Sequence, residues 1–346
     1  NSIINMIDNN LIYIFSIFVY FVIYVFRKDI SKLLNVFDLP DENRKIHNSP
    51  TPKTGSYSIA IIFFILLFSN NFFNIFDSEL NILLIGVLAI FFIGLIDDKY
   101  NLRATKKIFL IVIVSLFLCV LSDKLIIDKF YIFTLDFFFN LGIFNILFTI
   151  LCIFTLINSL NLADGINGLA TGLILFWLIY LNQIYVNNLE LIINIILINL
   201  TLSFIHNYKG KHFLGDAGSL MLSSFIALLI IYLHNENIHL PNHKNSAENI
   251  LIIFLVPVLD MVRLFFERIF NKIKPSTADK NHLHHYLIDK YSKKGALLCY
   301  FSIVNIPILI SLNYSINKLY IIGVVFLIYF LFIYTYKSSK KYEKSF

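Results

Sequence analysis

Long apolar runs broken by short polar stretches set the pattern of this chain. A helix that crosses a bilayer needs about 20 mainly apolar residues, within a range of about 17–25. Eleven segments approach that pattern: 5–26, 56–70, 80–96, 107–122, 143–160, 169–186, 189–206, 218–234, 248–267, 296–313 and 318–336. Only a short Asn-Asn turn parts the sixth from the seventh, which predicts a tight antiparallel pair. The stretch 123–140, with Lys124–Ile127 and Phe130–Asp136, is too polar and broken to span. A short β-hairpin lying on the membrane is expected there. The expected fold is therefore an all-α integral membrane protein. It is a polytopic bundle of about eleven transmembrane helices in one domain, 1–346, with a small β-hairpin on the non-cytoplasmic side.

Composition agrees with this pattern. Of 346 residues, 58% are hydrophobic and 14% charged, and the mean hydropathy is +0.75. A soluble protein of this length could not hide so much apolar surface. Cys119, Cys152 and Cys299 all sit inside apolar blocks, as small hydrophobes rather than a disulfide or zinc framework. The first apolar block lacks a basic flank and a small-residue cleavage site, so it reads as a retained helix. The excess of Ile, Phe, Asn, Lys and Tyr carries no functional meaning.

The net charge of +6 could suggest nucleic acid or anionic lipid, and its placement decides. With the loop after the first helix in the cytoplasm, the cytoplasmic loops and C-terminus hold 23 Lys or Arg. The other side holds Lys124, Lys129, Lys244 and Lys318. This is a positive-inside bias, and no nucleic-acid partner is expected. The cytoplasmic loops are then 27–54, 97–107, 158–168, 206–217 and 268–295.

Five polar clusters fall on that face. Arg44-Lys45-Ile46-His47, then Pro50-Thr51-Pro52-Lys53-Thr54-Gly55-Ser56, describe a rigid basic approach to the second helix; alone, they would be a solvated basic loop. Asp97 and Asp98 end the third helix, where adjacent carboxylates are costly without a cation nearby. They should face different partners, since successive helical residues point about 100° apart. Asp97 and Asn101 should share a face.

The third cluster, Asn158 to Ala170, has no Lys or Arg, so it is not there for topology. Asn158, Asn161, Asp164 and Asn167, with Gly165 and Gly168, suit a cation and polar groups; the plainer alternative is an Asn/Gly turn. Fourth, Phe213-Leu214-Gly215-Asp216-Ala217-Gly218-Ser219 opens the eighth helix. Its glycines allow close approach of a ligand and its amides could receive phosphate, though Asp216 could simply be an N-cap. Fifth, Asp279-Lys280-Asn281-His282-Leu283-His284-His285 follows Arg268. Three histidines without cysteine suit phosphate or nucleotide better than zinc. Asp260 and Arg263 lie deeper and can pair with each other.

In this order, the clusters make the chain resemble the polyprenyl-phosphate N-acetylhexosamine-1-phosphate transferases. The resemblance is closest to the bacterial branch that uses undecaprenyl phosphate and UDP-N-acetylglucosamine or a relative. It runs from Arg44 to His285. It implies transfer of a sugar-1-phosphate from a UDP-sugar to undecaprenyl phosphate at the cytoplasmic face of the inner membrane. UMP would be released and a lipid-linked cell-surface glycan begun. The resemblance places Asp97, Asp98, Asp164 and Lys107 in the catalytic centre and makes Asp216 the ligand of Mg²⁺, or Mn²⁺ in its place. It gives substrate binding to Lys53, Asn161, Asn167, Phe213, Arg268, His282, His284 and His285, with Phe213 against the uracil. The implied partners are the lipid phosphate, the UDP-sugar and the bilayer, with a homodimer left open.

Three positions depart from the family pattern. Asn167 stands where many bacterial relatives have Asp, Gly55-Ser56 replaces Gly-Gly, and Asn207-Tyr208-Lys209-Gly210-Lys211 replaces a loop with Pro-Pro. Two alternatives stay open. One is the peptidoglycan branch acting on UDP-MurNAc-pentapeptide. The other is a transporter of an anionic substrate, whose site would be expected near the midplane.

Overall fold

In a computed structural model, residues 2–40, 49–73, 77–185, 189–275, 277 and 279–343 are described. Arg44, Lys45 and His47 lie outside them, as does the Asn-Asn turn.

Every expected span is a helix. In chain order the helices are α1 (Ser2–Val25), α2 (Arg27–Leu34), α3 (Tyr57–Phe73), α4 (Ser78–Tyr100), α5 (Ala104–Leu121), α6 (Asn145–Ala163) and α7 (Leu169–Ile184). There follow α8 (Glu190–Tyr208), α9 (Gly215–Asn237), α10 (Ala247–Phe270), α11 (Leu283–Lys290), α12 (Lys293–Asn313) and α13 (Lys318–Glu343). By length and composition, eight of the described helices can cross a membrane, or nine when α1 and α2, bent by 64° at their junction, count as one span. The remaining two expected spans are shorter apolar helices, Tyr57–Asn70 and Leu169–Ile184. α7 and α8 pack side by side, as the tight pair requires.

The segment 123–140 holds the expected hairpin. β3 (Lys129–Ile132) pairs antiparallel with β4 (Phe137–Asn140), Lys129 opposite Asn140. Glu248, at the start of α10, fixes the hairpin turn by accepting the backbone N–H groups of Phe133 at 3.1 Å and Thr134 at 2.9 Å. Lys318 lies at this same end, fully buried, with its ammonium on the carbonyls of Ser311 and Tyr314 that end α12. It closes a helix C-terminus, where cations are favoured.

Two small features at the other end were not evident from hydropathy. α2 is a short turn of polar helix closed by Asn35 in the left-handed region, φ 58°. A two-residue ladder then pairs β1 (Phe37–Asp38) with β2 (Thr51–Pro52).

The core is centred on α9, whose membrane-length stretch is entirely buried. Small side chains let neighbours come close, as is usual where helices pack in lipid. At Gly94 of α4, an added Cβ would lie 2.5 Å from the backbone of Asp216 and Ala217. α4 and α9 therefore touch backbone to backbone where their polar ends meet. The hydroxyls of Ser223 and Ser224 are spent on α9 itself, bonded to the carbonyls of Ser219 (2.6 Å) and Met221 (2.8 Å).

Candidate active site

The polar ends of α4, α5, α6 and α9 converge on one point. Lys107, in the first turn of α5, bridges two carboxylates: Asp97 Oδ2 at 2.7 Å and Asp216 Oδ1 at 3.2 Å. Asn161, near the end of α6, donates to the same Asp216 oxygen at 2.9 Å and to Ser219 Oγ at 2.7 Å. Asp97 Oδ1 also accepts the Leu102 N–H at 2.7 Å, as the chain turns from α4 into α5.

The two adjacent aspartates do face different partners, as their helical spacing predicts. Asp98 turns toward α9, accepts the amides of Asp216 (3.0 Å) and Ala217 (2.8 Å), and pairs with Lys53 Nζ at 3.0 Å. These are amides of the first turn of α9, which have no partner inside the helix. Asp98 therefore caps α9 from another helix, and its side chain is fully buried. Asp216 is 32% exposed at its side chain, against 6% for Asp97. The carboxylate open to a ligand is Asp216 rather than either member of the pair.

The glycines around Asp216 serve this packing. Gly215 has φ 68°, and an added Cβ would fall 2.5 Å from the Asp98 carboxylate. Gly218 makes room for Ser56: its added Cβ would lie 2.7 Å from Ser56 Oγ. The Gly55-Ser56 departure is thus accommodated across the helix pair.

The approach 51–56 is stitched to the start of α9. Phe213 N–H donates to Pro52 O at 2.8 Å, and Gly55 N–H to Phe213 O at 2.9 Å. This places Lys53 over Asp98, with Asp38 at 3.9 Å, and holds half-buried Phe213 beside it. Burial works against the Lys53 charge, but Asp98, Asp38 and Asp216 outweigh it and raise its pKa.

Asp164 follows the end of α6 and is half-buried. Burial, then the charges of Asp216 and Asp98, push its carboxyl well above the usual range. Asn207, absent from the predicted site, holds this loop: its Oδ1 accepts the Gly168 N–H at 2.6 Å and its Nδ2 donates to His212 O at 3.0 Å. Asn167 Nδ2 lies against Gly210, 3.4 Å from where a Cβ would sit.

The histidines belong to the same end of the bundle. His284 Nε2 lies against Gly165, where a Cβ could not fit. It is buried with no hydrogen-bond partner among the described residues. Burial, then the neighbouring histidines, hold its pKa well below the usual imidazole value, so it is neutral. His282 and His284 stack at 5.3 Å, and His284 and His285 lie 4.3 Å apart. Arg268 is buried, pairing with Asp279 at 3.0 Å and donating to Pro275 O at 2.7 Å. Asp260 and Arg263 pair at 2.9 Å, as expected from their spacing.

Mg²⁺ usually takes one or two carboxylates together with waters and substrate phosphates. Asp216, the carboxylate open to a ligand, fits that role. It already faces one cation, Lys107. Among the described residues, no three His, Cys, Asp or Glu stand together to enclose a metal.

Residues 80–234, which carry Asp97 to Asp216, match the model of glycosyl transferase family 4. Over 293 residues the chain is 30% identical to the probable undecaprenyl-phosphate N-acetylglucosaminyl 1-phosphate transferase of Bacillus subtilis, covering 82% of this chain and 79% of that protein. The chain belongs to glycosyl transferase family 4. Family 4 relatives named undecaprenyl-phosphate alpha-N-acetylglucosaminyl 1-phosphate transferase include those of Escherichia coli K12 (27% identity, 79% of this chain, 75% of that protein) and Yersinia pestis (28%, 81% and 76%). The family 4 match stops short of Arg268 and the histidines, which the fold brings to the same end.

Proposed function

We propose that this family 4 transferase moves N-acetylglucosamine 1-phosphate, or a related N-acetylhexosamine 1-phosphate, from its UDP-sugar to undecaprenyl phosphate. UMP leaves and a lipid-linked sugar is made, the first step of a cell-surface glycan. The convergence of Lys107, Asp97, Asp216 and Asn161 at one end of a membrane bundle carries this reading. One substrate is a lipid and the other is water-soluble, so the site belongs where helix ends meet water. The basic loops support a reading of that end as cytoplasmic, at the inner membrane. The names of the relatives favour N-acetylglucosamine over the MurNAc-pentapeptide branch.

In this mechanism a phosphate oxygen of the lipid attacks the β-phosphorus of the UDP-sugar. A phosphate monoester has a second pKa of about 6, so the acceptor is largely ionised at neutral pH and needs little help from a base. The buried, fully engaged carboxylates of Asp97 and Asp98 are suited to holding cations and helix ends. Asp216 would hold Mg²⁺, which supplies charge neutralisation at the diphosphate when bound. Lys53 and Lys107 offer their ammonium groups to phosphate oxygens. Asn161 orients Asp216, and Asp164 stands at the end of the same helix. Phe213 offers its ring to the uracil, Asn167 is part of the same substrate site, and Arg268 and the histidines meet charge that develops on UMP.

The test is a panel of radiolabelled UDP-sugars with undecaprenyl phosphate and Mg²⁺. Labelled lipid and stoichiometric UMP are expected with UDP-N-acetylglucosamine or a close relative. Absence of both across the panel would overturn the reading.

A further inference from the structure

The histidine run does not hold its own shape. Among the described residues, its anchor is Asp260 in α10, which is 5% exposed and sits 22 residues before His282. Asp260 Oδ2 accepts from His282 Nδ1 at 2.9 Å. Oδ1 accepts the Leu283 N–H at 3.1 Å, Arg263 Nη2 at 2.9 Å and the Tyr329 hydroxyl at 2.6 Å. Arg263 also donates to Asn281 O at 2.6 Å, next to the same histidine. One carboxylate thus ties together α10, the start of α11 and α13.

A structural ion pair would need only Arg263. The further bonds are directed at one ring and at the peptide that follows it. An ionised carboxylate accepts only, so the His282 nitrogen facing it must be Nδ1–H. This leaves Nε2 as the ring nitrogen available to a ligand. The ring lies nearly parallel to that of His284, at 12°, and His284 in turn packs on Gly165 beside Asp164. The carboxylate therefore sets both the tautomer and the plane of the buried His282.

We infer, on the basis of the function proposed above, that Asp260 is a positioning residue for that reaction. It holds His282 with Nδ1–H inward and Nε2 toward the phosphates of the UDP-sugar, and Tyr329 of α13 completes the clamp. A histidine backed by a carboxylate is fixed in tautomer and orientation, so that its other nitrogen can meet the negative charge that develops on a departing phosphate. The last described helix is then part of the site, although it lies far outside the 80–234 match.

The experiment uses the full chain labelled with ¹⁵N-histidine, with His282 assigned through His282→Gln. The expected spectrum has His282 protonated at Nδ1 in the wild type, with Asp260→Asn moving that proton to Nε2. A wild-type His282 bare at Nδ1, or a tautomer unchanged in Asp260→Asn, would overturn the inference. This readout needs no turnover, so it stands apart from the fate of the proposed function. In the UMP-release assay, Asp260→Asn, His282→Gln and the double variant are each expected to lose about 10- to 100-fold in kcat/KM for the UDP-sugar, with losses that do not add. The KM for undecaprenyl phosphate should stay unchanged. Additive losses, or an equal loss toward the lipid substrate, would sink it.

Discussion

Asp98 accepts the backbone N–H of Asp216 at 3.0 Å, so the end of α4 carries the start of α9. The residue before it, Asp97, bonds instead to Lys107. Two neighbours in sequence therefore have separable duties. Asp98→Ala should leave two amides without their acceptor and Lys53 without its nearer carboxylate, and cost about 1–3 kcal/mol of stability, with activity lost alongside. Asp97→Asn should reduce UMP release with little change in thermal unfolding. A melting series in detergent, beside the assay, checks both. Equal effects on Tm would refute the division.

Asp216→Ala is expected to abolish turnover in a protein that remains folded and inserted. Its side chain is the open carboxylate of the site, and its removal leaves Lys107 paired to Asp97. Near-normal, Mg²⁺-dependent turnover in this variant would remove the metal role.

Asp164 gives a pH prediction with a definite sign. Burial and the Asp216 and Asp98 charges raise its folded pKa, so the fold favours its protonated form. That contribution is full below its unfolded value, about pH 4, and is lost as pH rises through the raised value. Asp164→Asn cannot ionise. Measured without metal, it should gain on the wild type in Tm as pH rises from 4 to 8. A gap that shrinks with rising pH would contradict the assignment.

Asn167 stands where many bacterial relatives have Asp. Asn167→Asp should be tolerated, whereas Asn167→Leu should lose roughly one to two decades in rate, the consequence of a polar group left unpaired at about 1–3 kcal/mol. A turn-only role, suggested by its contact with Gly210, predicts an active Asn167→Gly. Mg²⁺ and UDP-sugar titrations of the three variants separate the readings. A folded Asn167→Leu with unaltered dependence on both would exclude contact with the substrate.

The orientation is open to cysteine labelling. Thr277→Cys should be inaccessible from outside sealed cells and Ser78→Cys accessible; both positions are exposed in the described structure. External labelling at Thr277→Cys would invert the topology.

What the sequence determined by itself is one-dimensional: where apolar runs begin and end, which loops carry Lys and Arg, that Asp216 stands at a helix start, and that the histidines fall in the loop 268–295. The hairpin at 129–140 was legible for the same reason, since strand and turn chemistry are local. Each of these depends on neighbours a few residues apart, and a bilayer penalises unsatisfied polar groups so heavily that pattern alone places them. Only the tertiary structure decided which carboxylate of the pair caps α9, which one meets Lys107, and that Asn207 holds the Gly168 loop. Asp260 is the clearest case. An ionisable residue inside a membrane helix is a signal in its own right, and its i,i+3 spacing revealed Arg263. Nothing local reveals Tyr329, 69 residues away, or the direction of His282. Those contacts depend on how helices far apart in sequence pack, and on backbone approaches such as Gly94 against Ala217 that no periodicity encodes.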